Sequence, residues 1–202
     1  MKKRLGILLS GRGSNFEAIA DHVDQGRLEA EIAVVVSNIS SAPGLEKARQ
    51  RGLEAVFLSS KGLNREEYDA GVVALLKEKR VDLVCLAGFM RLLSPVFVRA
   101  FPNRILNIHP ALLPSFPGLE AQRQAREYGV KYSGCTVHFV DEGLDSGPII
   151  LQAVVPVLDD DSEETLAARI LKEEHNLYSQ AISLVLEGRH RIVGRRVIRE
   201  CS

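Results

Sequence analysis

Cysteine is scarce in this chain, and the few cysteines present do not group. Cys85, Cys135 and Cys201 are odd in number and widely spaced. A disulfide framework or a zinc knuckle needs cysteines at short, paired spacings, so the sequence predicts neither. This cysteine usage indicates a reduced protein, as is usual in the cytoplasm.

The chain also has no excess of charge and no long apolar run. Lysine plus arginine number 26, and so do aspartate plus glutamate, so the net charge favours neither nucleic acid nor an anionic membrane. The apolar run at residues 5–9 has strand length and soon meets Gly11, so it is too short for a signal peptide. No other run approaches a transmembrane span. We therefore expect a cytoplasmic protein that binds neither nucleic acid nor membrane.

What the sequence does contain is an alternation of strand and helix patterns. Its 202 residues suit one α/β domain with a real core. Apolar runs typical of buried strands lie at residues 5–9, 32–36, 55–58, 81–86 and 105–108, and helical patterns at 15–24, 44–50, 65–78 and 95–100. The alternation predicts a mostly parallel, twisted sheet with helices on both faces.

The order of elements changes after Gly118. Two strand-like runs, 133–140 and 149–157, flank a turn rich in glycine and acids, which indicates antiparallel strands added in the C-terminal half. A long helix over about residues 163–187 follows, with Asp161 as its expected N-cap.

Two further helix ends carry recognisable signals. Ser94 and Pro95 predict a helix start with a capping hydroxyl and proline at the first helical position. Gly52 lies where a left-handed C-terminal cap would end the second helix.

A glycine-rich turn, SGRGSN at residues 10–15, joins the first strand to the first helix. Glycines permit a tight turn, and a helix N-terminus offers amides and a positive dipole end to a phosphate. Phe16 stands at the third glycine position of a dinucleotide fingerprint, and a serine and an asparagine at 37–38 replace its acidic residue. Two readings remain: a site for a single phosphate, with Ser14 and Asn15 as extra donors, or a turn that only lets helix pack on strand.

The fifth strand ends in the polar pair Asn107 and His109. Residues two apart on a strand share a face, and ligands of open α/β sheets bind at the carboxyl ends of the strands. Three prolines within residues 110–117 deny the following loop helix and ladder hydrogen bonds, and so fix the pair rigidly. A lone histidine is often structural, and both readings stay open here.

Asp145 lies in the turn LDSGP at residues 144–148. It either bonds its own backbone, as turn aspartates do, or is brought beside His109, where it would raise the pKa of the imidazole. His138 reads better as a satisfied core histidine than as a site residue. The pair Glu174 and His175 on the last helix is ambiguous in the same way.

An asparagine, a histidine and an aspartate without a serine or cysteine nucleophile do not suit a covalent hydrolase. They suit a reaction in which the substrate supplies the nucleophile, while the protein donates to an oxyanion and moves protons. Transfer of an acyl group to a substrate amine has these needs. The residue patterns alone go no further.

Across nearly its whole length the chain resembles the phosphoribosylglycinamide formyltransferase family. The resemblance is carried by residues 10–15, 86–95 (LAGFMRLLSP), 106–110 (LNIHP), 137–140 (VHFV) and 144–148 (LDSGP). The set of asparagine, histidine and aspartate is shared by formyl-folate-using enzymes in general. The GSN turn and the AGFMR segment narrow the resemblance to this family.

The resemblance implies a Rossmann-like formyltransferase fold in a single domain over residues 1–202. The N-terminal part would mainly bind the phosphoribosyl substrate, and the C-terminal part would mainly bind folate and carry catalysis. The implied reaction transfers the formyl group of 10-formyltetrahydrofolate, a cosubstrate, to the amine of 5-phosphoribosylglycinamide (glycinamide ribonucleotide) in purine synthesis. No metal is implied, the partners are small molecules, and the protein would be a monomer or a homodimer.

The resemblance also implies roles for individual residues. Asn107, His109 and Asp145 would be catalytic, with His109 kept protonated by Asp145. The substrate phosphate and glycinamide would be bound by Gly13, Ser14, Asn15 and Glu174. The folate-binding residues would be Arg65, Met90, Arg91, Leu92, Leu93, Asn107, Val140, Asp141 and Asp145. Ala111 departs from the serine common in the family and puts one loop hydrogen bond in doubt.

Three alternatives share parts of this pattern. A formyltetrahydrofolate deformylase would use the same three residues with water as nucleophile, usually with an N-terminal regulatory domain before strand one. A methionyl-tRNA formyltransferase would need a further C-terminal domain and a basic surface. A non-catalytic phosphoribosyl- or folate-binding sensor would not require all of Asn107, His109 and Asp145.

Overall fold

The computed structural model describes residues 2–200. Cys201, the last of the three cysteines, lies outside the described residues, while Cys85 and Cys135 are buried free thiols. The chain divides into two compact units, Met1–Leu106 and Asn107–Ser202. The prediction of one formyltransferase domain over residues 1–202 stays a prediction.

The first unit alternates strands and helices. Its elements are β1 (Lys3–Leu9), α1 (Ser14–Asp24), β2 (Ala30–Ser37), α2 (Pro43–Gln50), β3 (Ala55–Phe57), α3 (Arg65–Glu78), β4 (Leu83–Leu86) and α4 (Pro95–Ala100). The strands pair in parallel in the order β3-β2-β1-β4. Most of β1 and all of β4 are buried, as expected for strands covered on both faces.

Strand β5 (Ile105–His109) begins in the first unit and ends in the second. The second unit continues with α5 (Ala121–Tyr128), β6 (Tyr132–Phe139), β7 (Ile149–Pro156), α6 (Glu163–Glu187), β8 (His190–Val193) and β9 (Arg196–Arg199). β6 and β7 pair antiparallel, and β8 and β9 form an antiparallel hairpin joined to β7 through β9. The predicted α/β class, mostly parallel with antiparallel strands in the C-terminal half, is confirmed.

The predicted capping bond from the Ser94 hydroxyl is absent from the start of α4. Pro95 is the first residue of α4, as expected, but Ser94 makes no side-chain capping bond. The backbone carbonyl of Ser94 accepts from Phe97 N at 3.0 Å, so the amide that the hydroxyl would have bonded is already satisfied. Gly52 does adopt the predicted left-handed conformation, with φ of +72°.

The predicted cap of α6 is displaced by one residue. Ser162, not Asp161, is the N-cap, and its side chain accepts from Thr165 N at 3.2 Å. Asp161 instead binds the guanidinium of Arg169 through both carboxylate oxygens, at 2.6 and 2.8 Å. Asp161 lies one residue before the N-cap, where its carboxylate also accepts from Thr165 Oγ1 at 2.8 Å.

Within residues 2–200, no helix combines the length and the apolar character that crossing a bilayer requires.

Candidate functional site

Four polar side chains of the second unit meet where β5 ends, and we call them the polar cluster: Asn107, His109, His138 and Asp145. His109 Nδ1 lies 3.4 Å from Asp145 Oδ2, and His138 Nε2 lies 3.6 Å from Asp145 Oδ1. The amide nitrogen of Asn107 lies 3.3 Å from His138 Nε2. The two candidate catalytic residues of β5 and the aspartate 36 positions after His109 therefore belong to one cluster.

His138 is the member of this cluster that the sequence interpretation missed. The interpretation as a core histidine is right about its burial, since His138 is 2% exposed. It is incomplete because the ring also contacts Asn107 and Asp145. The alternation of β6 carried a signal, because His138 lies two residues from Thr136, which binds the loop after β5.

Backbone carbonyls fix one nitrogen of each imidazole as a donor. His109 Nε2 lies 2.8 Å from the Phe116 oxygen, and His138 Nδ1 lies 2.8 Å from the Phe139 oxygen. A carbonyl only accepts, so these two nitrogens carry hydrogens in the neutral rings. The other nitrogen of each ring faces one oxygen of the Asp145 carboxylate. The cluster is therefore built to accept a further proton.

The electrostatics correct the expectation that Asp145 keeps His109 protonated, although Asp145 does act to raise the pKa of His109. Burial lowers the pKa of His109 below its ordinary value, and the Phe116 carbonyl and Asp145 oppose the shift without reversing it. For Asp145, burial acts to raise the pKa, but the interaction with His138, the hydrogen bond from Gly118 N and the attraction of the two imidazoles when they are protonated outweigh it and hold the pKa low. The unliganded protein thus pairs an ionised Asp145 with a neutral His109 at neutral pH.

The loop after β5, residues 110–118, is called here the proline loop. Thr136 Oγ1 donates to Ala111 O at 2.7 Å and accepts from Leu113 N at 3.0 Å. Gln152 Nε2 donates to Leu113 O at 2.9 Å. These bonds hold the start of the proline loop without the serine hydroxyl that Ala111 lacks, which answers the doubt raised by that residue.

Strained backbone gathers around the same cluster. Phe116 and Asp145 have φ of +54° and +47°, a region that residues other than glycine rarely adopt. Phe116 carries the carbonyl bound to His109, and Asp145 Oδ2 accepts from Gly118 N at 2.8 Å. Strain of this kind persists where surrounding contacts over-determine it, commonly at functional sites.

The predicted phosphate turn belongs to the first unit, and we call residues 10–15 the glycine turn. Gly13 is the N-cap of α1 with φ of +73°, and a Cβ there would lie 2.9 Å from the Gly44 Cα. Both facts require glycine at position 13, so the turn has a role in backbone conformation and packing, and phosphate binding by it stays a prediction. Ser14 begins α1, and its amide and that of Asn15 stand at the helix end that favours anions.

Ser10 ties the glycine turn to two neighbouring loops, a role that sequence reasoning missed. Its hydroxyl donates to Asn38 Oδ1 at 2.6 Å and accepts from Met90 N at 2.8 Å. Its amide donates to Gly88 O at 3.0 Å. Asn38, noted in the sequence only as the replacement of an acidic residue, is thereby a partner of this turn.

The residues predicted to bind folate lie on two stretches and one helix start. Met90 and Leu92 are 70% and 58% exposed, whereas Arg91 and Leu93 are half-buried. Arg65 is the exposed first residue of α3. Val140 and Asp141 are half-buried, and Asp141 Oδ1 accepts from Gly143 N and Ser146 Oγ at 3.0 and 2.7 Å, which shapes the turn before Asp145. Their folate contacts stay predictions.

Glu174 is buried in α6, with 7% of its surface exposed. Burial, with the charges of Glu174 and Glu173, raises the pKa of the Cys135 thiol to about 12. Cys135 is therefore a protonated thiol and not a nucleophile. The predicted contact of Glu174 with substrate stays a prediction.

Over residues 2–200, His, Cys, Asp and Glu side chains form no group of three or more that could hold a metal ion. In the polar cluster, the carbonyl-bonded nitrogens of His109 and His138 are hydrogen-bond donors.

Comparison with known proteins places this fold in a family. A sequence profile described as "Formyl transferase" matches residues 3–182. The chain belongs to the formyl transferase family. A relative in Drosophila melanogaster, the trifunctional purine biosynthetic protein adenosine-3, is 48% identical over 190 residues, which cover 93% of this chain. The chain spans only 14% of the length of that trifunctional relative.

Two bacterial members of the formyl transferase family match over most of both chains. The phosphoribosylglycinamide formyltransferase of Escherichia coli K12 is 45% identical over 184 residues, 91% of this chain and 87% of the relative. The crystal structure of glycinamide ribonucleotide transformylase 1 from Symbiobacterium toebii superposes with a TM-score of 0.97 at 54% identity. It covers 99% of this chain and 95% of the other.

Proposed function

We propose that this protein transfers the formyl group of 10-formyltetrahydrofolate to the amine of glycinamide ribonucleotide. The observation that carries the proposal is the polar cluster, in which both oxygens of Asp145 face imidazole nitrogens. Among residues 2–200, the bonds of Asp145 and His109 run to each other, to His138 and to backbone groups, and to no serine or cysteine side chain. A site of this kind needs a nucleophile from the substrate.

The reaction joins the amine nitrogen to the formyl carbon and breaks the bond from that carbon to N10 of the folate. The formyl oxygen becomes negative in the tetrahedral intermediate. Asn107 Nδ2 keeps a second hydrogen after its bond to His138 and donates it to this oxygen. The folate nitrogen leaves as an amine and takes up one proton.

Asp145 and His109 handle the proton that the attacking amine loses. His109 is neutral before reaction because burial lowers its pKa. Asp145 accepts the proton from the amine and shares it with the facing nitrogen of His109, which becomes imidazolium. Donation from His109 to the oxyanion then requires that His109 Nε2 exchange the Phe116 carbonyl for the substrate oxygen.

The glycine turn supplies the complementary contribution of the first unit. In this proposal the amides of Ser14 and Asn15, at the start of α1, bind the phosphate of glycinamide ribonucleotide. The relatives named for this reaction, at 45% and 54% identity over most of both chains, support the choice of substrate. Small molecules as partners, a cytoplasmic location and a monomeric or homodimeric state belong to the same proposal.

The test is an assay with 10-formyltetrahydrofolate, run with and without glycinamide ribonucleotide. Tetrahydrofolate released only when the amine is present supports the transferase. Release without the amine would show a deformylase, and binding of either ligand without turnover would show a sensor.

A further inference from the structure

The segment between β4 and α4, residues 87–94, is called here the β4–α4 segment. It holds Met90 and Leu92 out of the core, at 70% and 58% exposure. Large apolar side chains held out from neighbouring positions of one loop are characteristic of a ligand-binding surface. Burial cannot fix Met90 and Leu92 in place, so the contacts of the rest of the segment must do so.

One anchor holds the beginning of the segment. Ser10 N donates to Gly88 O at 3.0 Å, and Ser10 Oγ accepts from Met90 N at 2.8 Å. The side chain of Met90 is left free while its backbone is fixed.

A second anchor holds the end of the segment through a buried side chain. Ser94 N donates to Asp69 Oδ2 at 2.6 Å, and Asp69 is 0% exposed. Asp69 lies in the second turn of α3, whose start is fixed by a capping box between Asn64 and Glu67. The Asp69 carboxylate therefore lies on a helix whose N-terminal end is fixed by hydrogen bonds.

A third anchor holds the middle of the segment. The guanidinium carbon of Arg91 lies 4.5 Å from the centroid of the Tyr68 ring. Tyr68 is 2% exposed, and burial raises its pKa to about 12, so the phenol is neutral. Tyr68 and Asp69, consecutive residues of α3, thus hold two points of the β4–α4 segment that are three residues apart.

The carboxylate does more here than fill space. Ser94 ends the segment and also caps α4, and its carbonyl is engaged by Phe97 N and Val98 N. Its amide is buried with Asp69, and removing that acceptor would leave a buried donor without a partner. The bond from Ser94 N to Asp69 Oδ2 therefore fixes the position of the end of the segment.

We propose that Asp69, together with Tyr68, positions the β4–α4 segment so that Met90, Arg91 and Leu92 can bind the folate cosubstrate. This inference rests on the proposed function and on the prediction, implied by the family resemblance, that Met90, Arg91 and Leu92 bind folate. Asp69 acts through the amide of Ser94 and Tyr68 acts through the guanidinium of Arg91. Both are positioning residues.

The test compares Asp69→Ala and Asp69→Asn in steady-state kinetics. We expect Asp69→Ala to raise the KM for 10-formyltetrahydrofolate about tenfold, with kcat and the KM for glycinamide ribonucleotide changed by less than about twofold. Asp69→Asn keeps an oxygen that accepts from Ser94 N and recovers most of the loss. The matched control is Asp82→Ala, because Asp82 Oδ2 also accepts a backbone amide, from Arg4 at 2.8 Å, but precedes β4 at its other end.

A purely structural role predicts a different pattern. Asp69→Ala would then melt at a lower temperature and lose active protein, while the KM for folate stayed the same. That outcome would overturn the proposal. If Asp69→Ala does not fold, Tyr68→Leu against Tyr68→Phe decides, because only phenylalanine keeps a ring under Arg91. An equal folate KM in these two variants would overturn it as well.

A calorimetric titration separates this proposal from the proposed function. If the wild-type protein transfers no formyl group, the proposed function fails, but its affinity for 10-formyltetrahydrofolate can still be compared with that of Asp69→Ala. Affinity about tenfold weaker in the variant supports the positioning role. Equal affinity, or no binding by the wild type, overturns it.

Discussion

The glycine turn after β1 and the proline loop after β5 differ in what fixes their shape. In the glycine turn, backbone determines the shape, since Gly13 takes a left-handed conformation and packs against Gly44. In the proline loop, side chains determine it, since Thr136, Gln152 and Asp145 bond its backbone at Ala111, Leu113 and Gly118.

The difference follows from what each part must do in the proposed reaction. A phosphate is bound by backbone amides, a helix dipole and short side-chain donors, and these groups take no part in the chemical step. Proton transfer needs particular side-chain atoms at fixed distances. Substitutions in the glycine turn should therefore weaken substrate binding, and those around the proline loop should slow the reaction.

The largest effect should come from the polar cluster. Asp145→Asn and His109→Ala should each lower kcat at least about a hundredfold, because each removes a group that carries the amine proton. Single-turnover rates with both substrates saturating measure the loss. The control is Asp159→Asn, an exposed carboxylate of the same unit paired with Lys131. A near-normal kcat would remove the residue concerned from the mechanism.

A smaller effect, of another kind, should come from the glycine turn. Replacing Ser14 and Asn15 together by alanine should raise the KM for glycinamide ribonucleotide about tenfold, because side-chain donors are lost while the backbone amides remain. The kcat should change little. The KM for 10-formyltetrahydrofolate, measured on the same variant, is the internal control. If both Michaelis constants rise equally, the contrast between the two regions fails.

The packing of the proline loop should contribute less again. Thr136→Val keeps the shape of the side chain but loses the bonds to Ala111 and Leu113. We therefore expect the free energy of unfolding to fall by about 1–3 kcal/mol and kcat to fall severalfold. Ser133→Ala is a matched control on β6, because the buried Ser133 hydroxyl has no hydrogen-bond partner among the described residues. Equal losses in the two variants would show that burial, not loop anchoring, matters.

The smallest expected effect is on the pH dependence of stability. The pKa of His109 is lowered by burial, so on acidification the unfolded chain takes up this proton before the folded protein does. Stability should therefore fall as the pH drops through the ordinary histidine value of about 6.5. Melting temperatures between about pH 8 and pH 5.5 should decline less in His109→Gln than in the wild type. Equal declines would mean that burial does not lower this pKa.

Most of the parallel half of the fold could be predicted because its strands are continuous apolar runs. Helix α5 (Ala121–Tyr128) was not predicted, because only Ala121 and Ala125 are buried and most of the other residues are polar. The hairpin β8–β9 was not predicted either, although Gly194, with φ of +60°, lies in its turn. Short, polar elements depend on tertiary contacts more than on their own pattern.

The candidate site, too, could be predicted from the sequence only in part. Asn107 and His109 could be placed on one face from strand alternation alone. The approach of Asp145 could not, because spacing in sequence does not reveal which turn folds beside which strand. The pKa of His109 was predicted in the wrong direction, since a sequence shows the nearby charge but not the depth of burial that outweighs it. The site role of His138 was missed because the residue was interpreted as a buried core histidine, and a buried histidine can also belong to a functional site.

The central claim is that the formyl carbon passes to a substrate amine and not to water. The direct measurement is to supply 10-formyltetrahydrofolate with an isotopic label in the formyl carbon, together with glycinamide ribonucleotide, and to follow the label. We predict that the label is recovered on the glycinamide nitrogen, one for each tetrahydrofolate formed. Label recovered as free formate would contradict the claim.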